Sequence, residues 1–546
     1  MPEPMAAPPQ FHVYDTTLRD GAQQEGLRLT VADKLRIAGY LDELGVGFIE
    51  GGWPGANPTD TAFFAAAARG ELVLKHAQLV AFGATRRVGG RAADDPLVAA
   101  LRDSHAPYAC LVAKSHSRHV ELALRTTLAE NLAMVTDTVQ HLRSEGMRVF
   151  VDCEHFFDGY REDPAYALEV VRTAAEAGAE VVVLCDTNGG MLPSWMGDVV
   201  SAAGAVGVDL GVHCHNDTGC AIANTLAAVD AGVMHVQGTV NGYGERTGNA
   251  DLVPVVANLE LKYGWSVLPE GALAEATRIS HAISAVTNVP GSARAPYVGT
   301  SSFAHKAGLH ASAIRVDPNL YQHIDPALVG NDMRMLISDM AGRANIQIKG
   351  EELGFDLSDR ELAARVTEQV KNREAEGYSY EAADASFELL LRSELGELDE
   401  YFSVLQWRVH THSAAGERSD SEATVKLRAR GEEQLFVGEG NGPVNALDAA
   451  LRRALTPAFP VVDCYELTDY RVRVLEGSVR AGGGHGTNAV VRVLIDTTDG
   501  ERTWTTVGVG SNVIEASWEA LSDAYLYGLL HRAAPEPAPA EVTVVD

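Results

Sequence analysis

His213 and His215 stand one residue apart in GVHCHNDTGCAIAN (211–224), just after a short apolar run. In a strand, alternate side chains share a face. The two imidazoles would then point one way and Cys214 the other. Two imidazoles on one face can share a divalent metal. The competing reading is a pair of partly buried histidines, each satisfied by a hydrogen bond. What else the chain brings to the same place decides between them.

The elements around this segment form a rhythm. Short β-prone runs alternate with Ala- and Leu-rich stretches of helical character. The runs are FHVYDTTL (11–18), VGFIEGGW (46–53), LVAFGAT (79–85) and YACLVAK (108–114). They continue as RVFVDCEHF (148–156), EVVVLCDTN (180–188), LGVHCHND (210–217) and VMHVQGTVNG (233–242). Helices are expected between them, as over 31–45, 165–178 and 221–232. Eight such units in roughly 250 residues fit a (β/α)8 TIM barrel. An open doubly wound sheet is the alternative. Even spacing, and no Gly-rich phosphate fingerprint after the first strand, favour the barrel.

Barrel active sites lie at the C-terminal ends of the strands, and polar groups collect there. The first run ends in Asp15, Arg19 and Asp20, the fifth in Asp152 and Glu154. The sixth ends in Asp186, Thr187 and Asn188, the seventh carries His213 and His215, and the eighth leads to Glu245 and Asn249. This co-location favours the metal reading.

Composition narrows the class. The chain has 546 residues, 46% hydrophobic and 22% charged, with a formal net charge of -30. That suits two or three globular domains and disfavours nucleic acid and anionic membranes as partners. An anionic substrate such as a CoA ester would need a local positive site. No apolar run reaches membrane-spanning length, and MPEPMAAPPQ lacks a secretory pattern. Six scattered cysteines then read as reduced thiols in a cytoplasmic protein.

Past residue 290 the rhythm breaks. A segment rich in Gly, His and Pro (292–331) precedes two amphipathic helices, 361–377 and 380–396. From about residue 400, alternating strands appear. LFVGEGNGPVNALDAALRRAL (435–455) is echoed by TTVGVGSNVIEASWEALSDAYLYGLL (505–530), each a strand, a Gly turn and a helix. This predicts an α+β domain with an internal repeat. The expected organisation is a disordered lead (1–10), a catalytic barrel (11–290) and a mainly helical linker subdomain (291–398). A C-terminal regulatory domain (399–533) and a disordered tail (534–546) complete it.

DTTLRDGAQQEG (15–26), HCHND (213–217) and GYGERTGNADL (242–252) together resemble the α-isopropylmalate, homocitrate and citramalate synthases. These belong to the metal-dependent barrel superfamily that includes hydroxymethylglutaryl-CoA lyase. SFAHKAGLHASA (302–313) and DPNLY (317–321) are similar to the subdomain after the synthase barrel. GEGNGPVNALDAALRRAL looks like the C-terminal domain that binds an end-product amino acid, which the lyases lack. GGWPGANPTD (51–60) and FAHKAGLHASA are most similar to the long citramalate synthases.

The resemblance implies a Claisen-type condensation. Acetyl-CoA would lose a methyl proton, its enolate would attack the ketone of a 2-oxo acid, and the thioester would be hydrolysed. It implies Asp20, His213 and His215 as ligands of Zn, Mn, Co or Mg, with Asn249 close to the metal. Arg19 would stabilise the developing oxyanion, and Thr187 would hold the oxo-acid carboxylate. His310 would be the base, with His305 as its rival. Glu154 would pair with that base or orient a water, and Asn319 and Tyr321 would orient the machinery. The family delivers this histidine to the other chain's barrel, which implies a homodimer. Pyruvate is the expected acceptor, for isoleucine synthesis; 2-oxoisovalerate, for leucine synthesis, is the alternative. Isoleucine or leucine is the expected inhibitor. A lyase is disfavoured by the C-terminal domain. A non-catalytic amino-acid sensor is disfavoured because Arg19, Asp20, His213, His215 and His310 are all present.

Overall fold

Each of the eight β-prone runs forms one strand of a closed parallel barrel in the computed structural model, β1 to β8 in sequence order. The strands are β1 (His12–Asp15), β2 (Phe48–Gly52), β3 (Gln78–Ala84) and β4 (Tyr108–Lys114). They continue as β5 (Arg148–Glu154), β6 (Val181–Asp186), β7 (Asp209–Cys214) and β8 (His235–Gly238). The structure describes residues 11–337, 343–413, 419–475 and 489–531. The lead and tail expected to be disordered lie outside these residues.

Strand alternation builds two cores. Tyr14, Phe48, Phe82, Tyr108, Phe150, Val183 and Cys185 fill the barrel interior. Their neighbours Val13, Ile49, Cys153, Leu184, Val212 and Cys214 face the surrounding helices. Cys153 and Cys214 are thus packed thiols, pushed well up in the first instance by burial and so held as neutral SH groups.

Local chemistry sets the helix positions. Thr30 caps the helix Val31–Leu44 and exchanges bonds with Asp33 in a capping box. Gly45, at φ 85°, ends it in the left-handed region. The expected helices over 165–178 and 221–232 form as Pro164–Ala177 and Ala221–Asp230.

The chain divides into two compact units, residues 1–303 with 323–333, and residues 304–322 with 334–546. The first contains the barrel. The second holds the helices Gly308–Ile314, Arg343–Glu352, Arg360–Glu376 and Asp384–Leu395. It also holds two copies of a three-stranded antiparallel sheet followed by a helix. The strands Phe402–His412, Asp420–Ala429 and Glu432–Gly440 precede the helix Pro443–Leu455. Glu466–Leu475, Val490–Thr498 and Thr503–Gly510 precede Val513–Leu530. Both helices and both sheets contribute to one core. Among the described residues, no helix is long and apolar enough to cross a membrane.

Candidate active site at the barrel mouth

The loop after β1 is stapled before it reaches the site. Asp15 accepts the Thr17 N–H at 2.8 Å and the Thr17 hydroxyl at 2.9 Å. Thr17 Oγ1 in turn accepts the Val240 N–H at 2.9 Å, tying this loop to the one after β8. Asp15 therefore serves the scaffold, and so does Asp186, which accepts the N–H groups of Gly190 and Met191 at 3.1 Å each. The stapled loop presents Arg19 and Asp20.

Strand β7 ends at Cys214, so His215 lies one residue past it, in an isolated bridge with Asn249. Strand alternation thus accounts for His213 and Cys214, and the bridge accounts for His215. Both imidazoles still converge. His213 Nε2 is 3.2 Å and His215 Nε2 3.7 Å from Asp20 Oδ2. All three side chains are buried, and one ligand atom from each lies within 4.8 Å of the others.

Asn249 joins the group. Its Nδ2 donates to Asp20 Oδ1 at 3.2 Å and to the Tyr243 carbonyl at 2.9 Å. Gly244, at φ 147°, makes room: a Cβ there would stand 2.2 Å from Asn249 Nδ2. Asn249 Oδ1 is buried without a partner among the described residues, and so is His215 Nδ1. Buried polar atoms are normally satisfied. Two imidazoles, a carboxylate and an amide oxygen left open suit a divalent metal.

Arg19 links this group to the barrel interior. Its Nη1 donates to Asp20 Oδ2 at 3.1 Å, and its Nε to Glu50 Oε2. The guanidinium carbon lies 4.0 Å from the centroid of the Phe82 ring. Glu50 also accepts the Tyr14 hydroxyl at 2.7 Å. Burial opposes the charge on Asp20, but Arg19 and the two histidines outweigh it and hold the carboxyl well below its usual range. Burial lifts Glu50, and Arg19 restrains the rise. His215 is pushed down to about 4 by burial and by its neighbour His213, so it is neutral and able to ligate.

A cavity of about 280 Å³ opens over these groups. Arg19, Asp20, Glu154, Thr187, His213 and His215 line its polar side, and Trp53, Phe82, Val112 and Cys185 its apolar side. Glu154 is ion-paired with Lys114. Thr187 Oγ1 accepts the His155 N–H at 2.8 Å, which leaves its hydroxyl hydrogen to donate elsewhere. A roomier cavity of about 480 Å³ beside Asn241 and Ser284 contains no converging set of three metal-ligating groups among the described residues.

The other candidates belong to the second unit. The His310 ring stacks on Tyr321 with centroids 4.1 Å apart, and His305 meets His310 edge-on at 6.0 Å. Asn319 Nδ2 donates to Asp317 Oδ1 at 2.9 Å. Sequence reasoning missed Glu50, Lys114 and Gln237. A charged or amide residue inside an apolar strand, as in FIEGG and HVQG, was the available signal.

Three families match in order along the chain: HMGL-like over residues 10–283, homocitrate synthase post-HMGL domain-like over 297–377, and the LeuA allosteric (dimerisation) domain over 381–529. An (R)-citramalate synthase from Streptomyces coelicolor is 66% identical, covering 97% of this chain and 98% of its own. The chain belongs to the (R)-citramalate synthase family. Another member, from Synechocystis sp., is 46% identical over 95% of this chain and 96% of its own. A 2-isopropylmalate synthase from Methanocaldococcus jannaschii is 29% identical over 95% of each. Membership makes the protein an acyltransferase, and the sensor reading falls.

Proposed function

We propose that the chain condenses acetyl-CoA with pyruvate to give (R)-citramalate and CoA, as a step towards isoleucine. The Asp20–His213–His215 group, in a chain 66% identical to a citramalate synthase over 97% of its length, carries this reading. A divalent metal held by these three residues, with Asn249 beside it, would polarise the ketone of the oxo acid as a Lewis acid. Which metal serves is left to the ligand chemistry, which accepts Zn, Mn, Co or Mg.

The chain's own residues supply the rest. Thr187 donates its free hydroxyl hydrogen to the oxo-acid carboxylate. Arg19 keeps its charge at any working pH and faces the ketone oxygen as negative charge grows there. Glu50 and Phe82 hold it in that pose. The apolar wall of Trp53, Phe82 and Val112 takes the methyl group of pyruvate and keeps water from the enolate. His310, with Tyr321 against its ring, is the base that removes the methyl proton of acetyl-CoA, delivered from a second copy of the chain. Glu154, steadied by Lys114, orients the water that later adds to the thioester carbonyl. The carbon–sulfur bond then breaks, and CoA leaves as the thiol.

The LeuA allosteric (dimerisation) match supports a homodimer inhibited by an amino acid, with isoleucine as the fitting end product. All six cysteines are free, which supports a cytoplasmic setting. The two acceptors differ by two methyl groups, about 1.5 kcal/mol of burial at ~0.8 kcal/mol per CH2. Thiol assay of CoA release, with pyruvate and 2-oxoisovalerate tested separately in metal-supplemented buffer, decides. Release with pyruvate alone is expected. Release with 2-oxoisovalerate alone would move the protein to leucine synthesis.

A further inference from the structure

Behind His213, on the side away from Asp20, runs a buried polar chain that the proposed reaction leaves unused. Gln237 stands inward on β8, in register with His213 on β7 and with Tyr14 on β1. It is 1% exposed. The interior around it is built from Phe48, Phe150, Tyr108 and Val183, where an unbonded amide would be costly. Gln237 is fully bonded. Its Oε1 lies 2.8 Å from His213 Nδ1. Its Nε2 lies 3.1 Å from Asp152 Oδ1 and 3.4 Å from His235 Nε2.

An amide can in principle be turned over. Here its surroundings choose. Asp152 offers a carboxylate oxygen. His235 Nε2 can accept as well when its ring hydrogen sits on Nδ1, which lies 3.3 Å from His12 Nδ1. Turned over, Gln237 would set its carbonyl oxygen against the Asp152 carboxylate and lose that bond. The nitrogen therefore faces Asp152 and His235, and the oxygen faces His213. The hydrogen on His213 must then sit on Nδ1. Nε2, 3.2 Å from Asp20 Oδ2, is then the ring nitrogen that faces the proposed metal position. His215 has no such backing: its Nδ1 is buried without a partner among the described residues.

We infer that Gln237, oriented by Asp152 and His235, is a positioning residue of the metal centre. It fixes the tautomer and ring plane of His213 so that Nε2 is presented as a ligand. The inference rests on the proposed reading of Asp20, His213 and His215 as metal ligands. Groups behind a metal-bound histidine commonly set its orientation and basicity, and losing them typically weakens metal binding by roughly 10–100-fold.

The test measures metal affinity, not turnover. Chelator-stripped full-length protein is titrated with Zn²⁺ against a chromophoric chelator, with folding checked by circular dichroism. Gln237→Met fills a similar volume and offers Nδ1–H only a weak thioether acceptor. A loss of roughly 10–100-fold in affinity is expected. The paired change Gln237→Glu with Asp152→Asn exchanges the two groups. Glu can accept from His213, from the new amide and from His235 with its ring hydrogen on Nε2, so affinity within a few-fold of wild type is expected. Wild-type affinity in a folded Gln237→Met variant would overturn the inference, because packing alone would then suffice. So would a paired variant as weak as Gln237→Met. Should Gln237→Met not fold, the paired variant decides by the same criterion. If the unmodified protein binds no Zn²⁺, the metal reading itself fails and the inference goes with it.

Discussion

Arg19 is gripped by two carboxylates, Asp20 at the cavity and Glu50 beneath it. Glu50 is fully buried, and the Tyr14 hydroxyl completes its bonding. Removing one partner of a buried ion pair leaves the other charge uncompensated, and the penalty is typically 3–5 kcal/mol. Arg19 keeps Asp20, so Glu50→Gln is expected to destabilise by about 3 kcal/mol, the lower end of that range. It should also lower kcat/KM, since the guanidinium is no longer held in place. Urea unfolding and steady-state kinetics measure the two effects, and an unchanged unfolding midpoint would show that Glu50 contributes nothing through Arg19. This residue also marks a limit of sequence reading. Asp20, His213 and His215 were legible because they crowd the strand ends. Glu50 and Gln237 lie within strands of a parallel barrel, which are buried on both faces and read as nearly continuous apolar runs. Period alone does not say which interior positions carry polar groups, or what those groups touch.

At the scale of elements, the eight barrel strands were all legible, since β-branched and aromatic runs alternate with capped helices at even spacing. The ties between elements were not. Asp42, near the end of the helix Val31–Leu44, accepts the N–H groups of Lys75, His76 and Ala77 at 2.8 Å each. It thereby sets the entry into β3. Burial opposes the charge of Asp42, and these three backbone bonds outweigh it, holding the carboxyl below its usual range. A carboxyl depressed in the folded state adds stability above its unfolded value, and this is lost as pH falls through the folded value. Asp42→Ala is therefore expected to cost roughly 1–3 kcal/mol near neutral pH, as three N–H groups lose their acceptor. The gap between wild type and variant should narrow below about pH 4, where the unfolded carboxyl begins to take up its proton. Unfolding at a series of pH values checks both points. A gap that stays constant down to pH 2 would assign the effect to packing instead of charge.

At the scale of the molecule, the second unit joins parts that look separate in the sequence. The helix Gly308–Ile314, which carries His310, packs on Arg343–Glu352. Ile346 of that helix shares a core with Val366, Val370, Phe387 and Leu391, and that core includes Val507 from the last regulatory strand. Polar ties reinforce it. Ser386 Oγ accepts the Val507 N–H at 2.9 Å, and the Arg492 guanidinium donates to the carbonyls of Gly377 and Tyr378. Residues 304–322 and 334–546 form one unit while 323–333 return to the other, and no local composition marks such a crossing. One physical consequence concerns truncation. Cutting the chain after residue 399 would do more than remove an amino-acid site. It would strip Val507 and Leu494 from the core that holds Phe387, and burying one aliphatic side chain is worth about 1.5–3 kcal/mol. The core on which the helix bearing His310 rests, through Arg343–Glu352, would be weakened. The truncated protein is therefore expected to lose most CoA release along with amino-acid inhibition, while the barrel keeps its fold and its metal affinity. Activity assays, Zn²⁺ titration and dye binding to exposed apolar surface on the same sample test this. A truncated chain that releases CoA at the full rate, without inhibition, would show that the regulatory sheets only sense the amino acid and give the His310 helix no support.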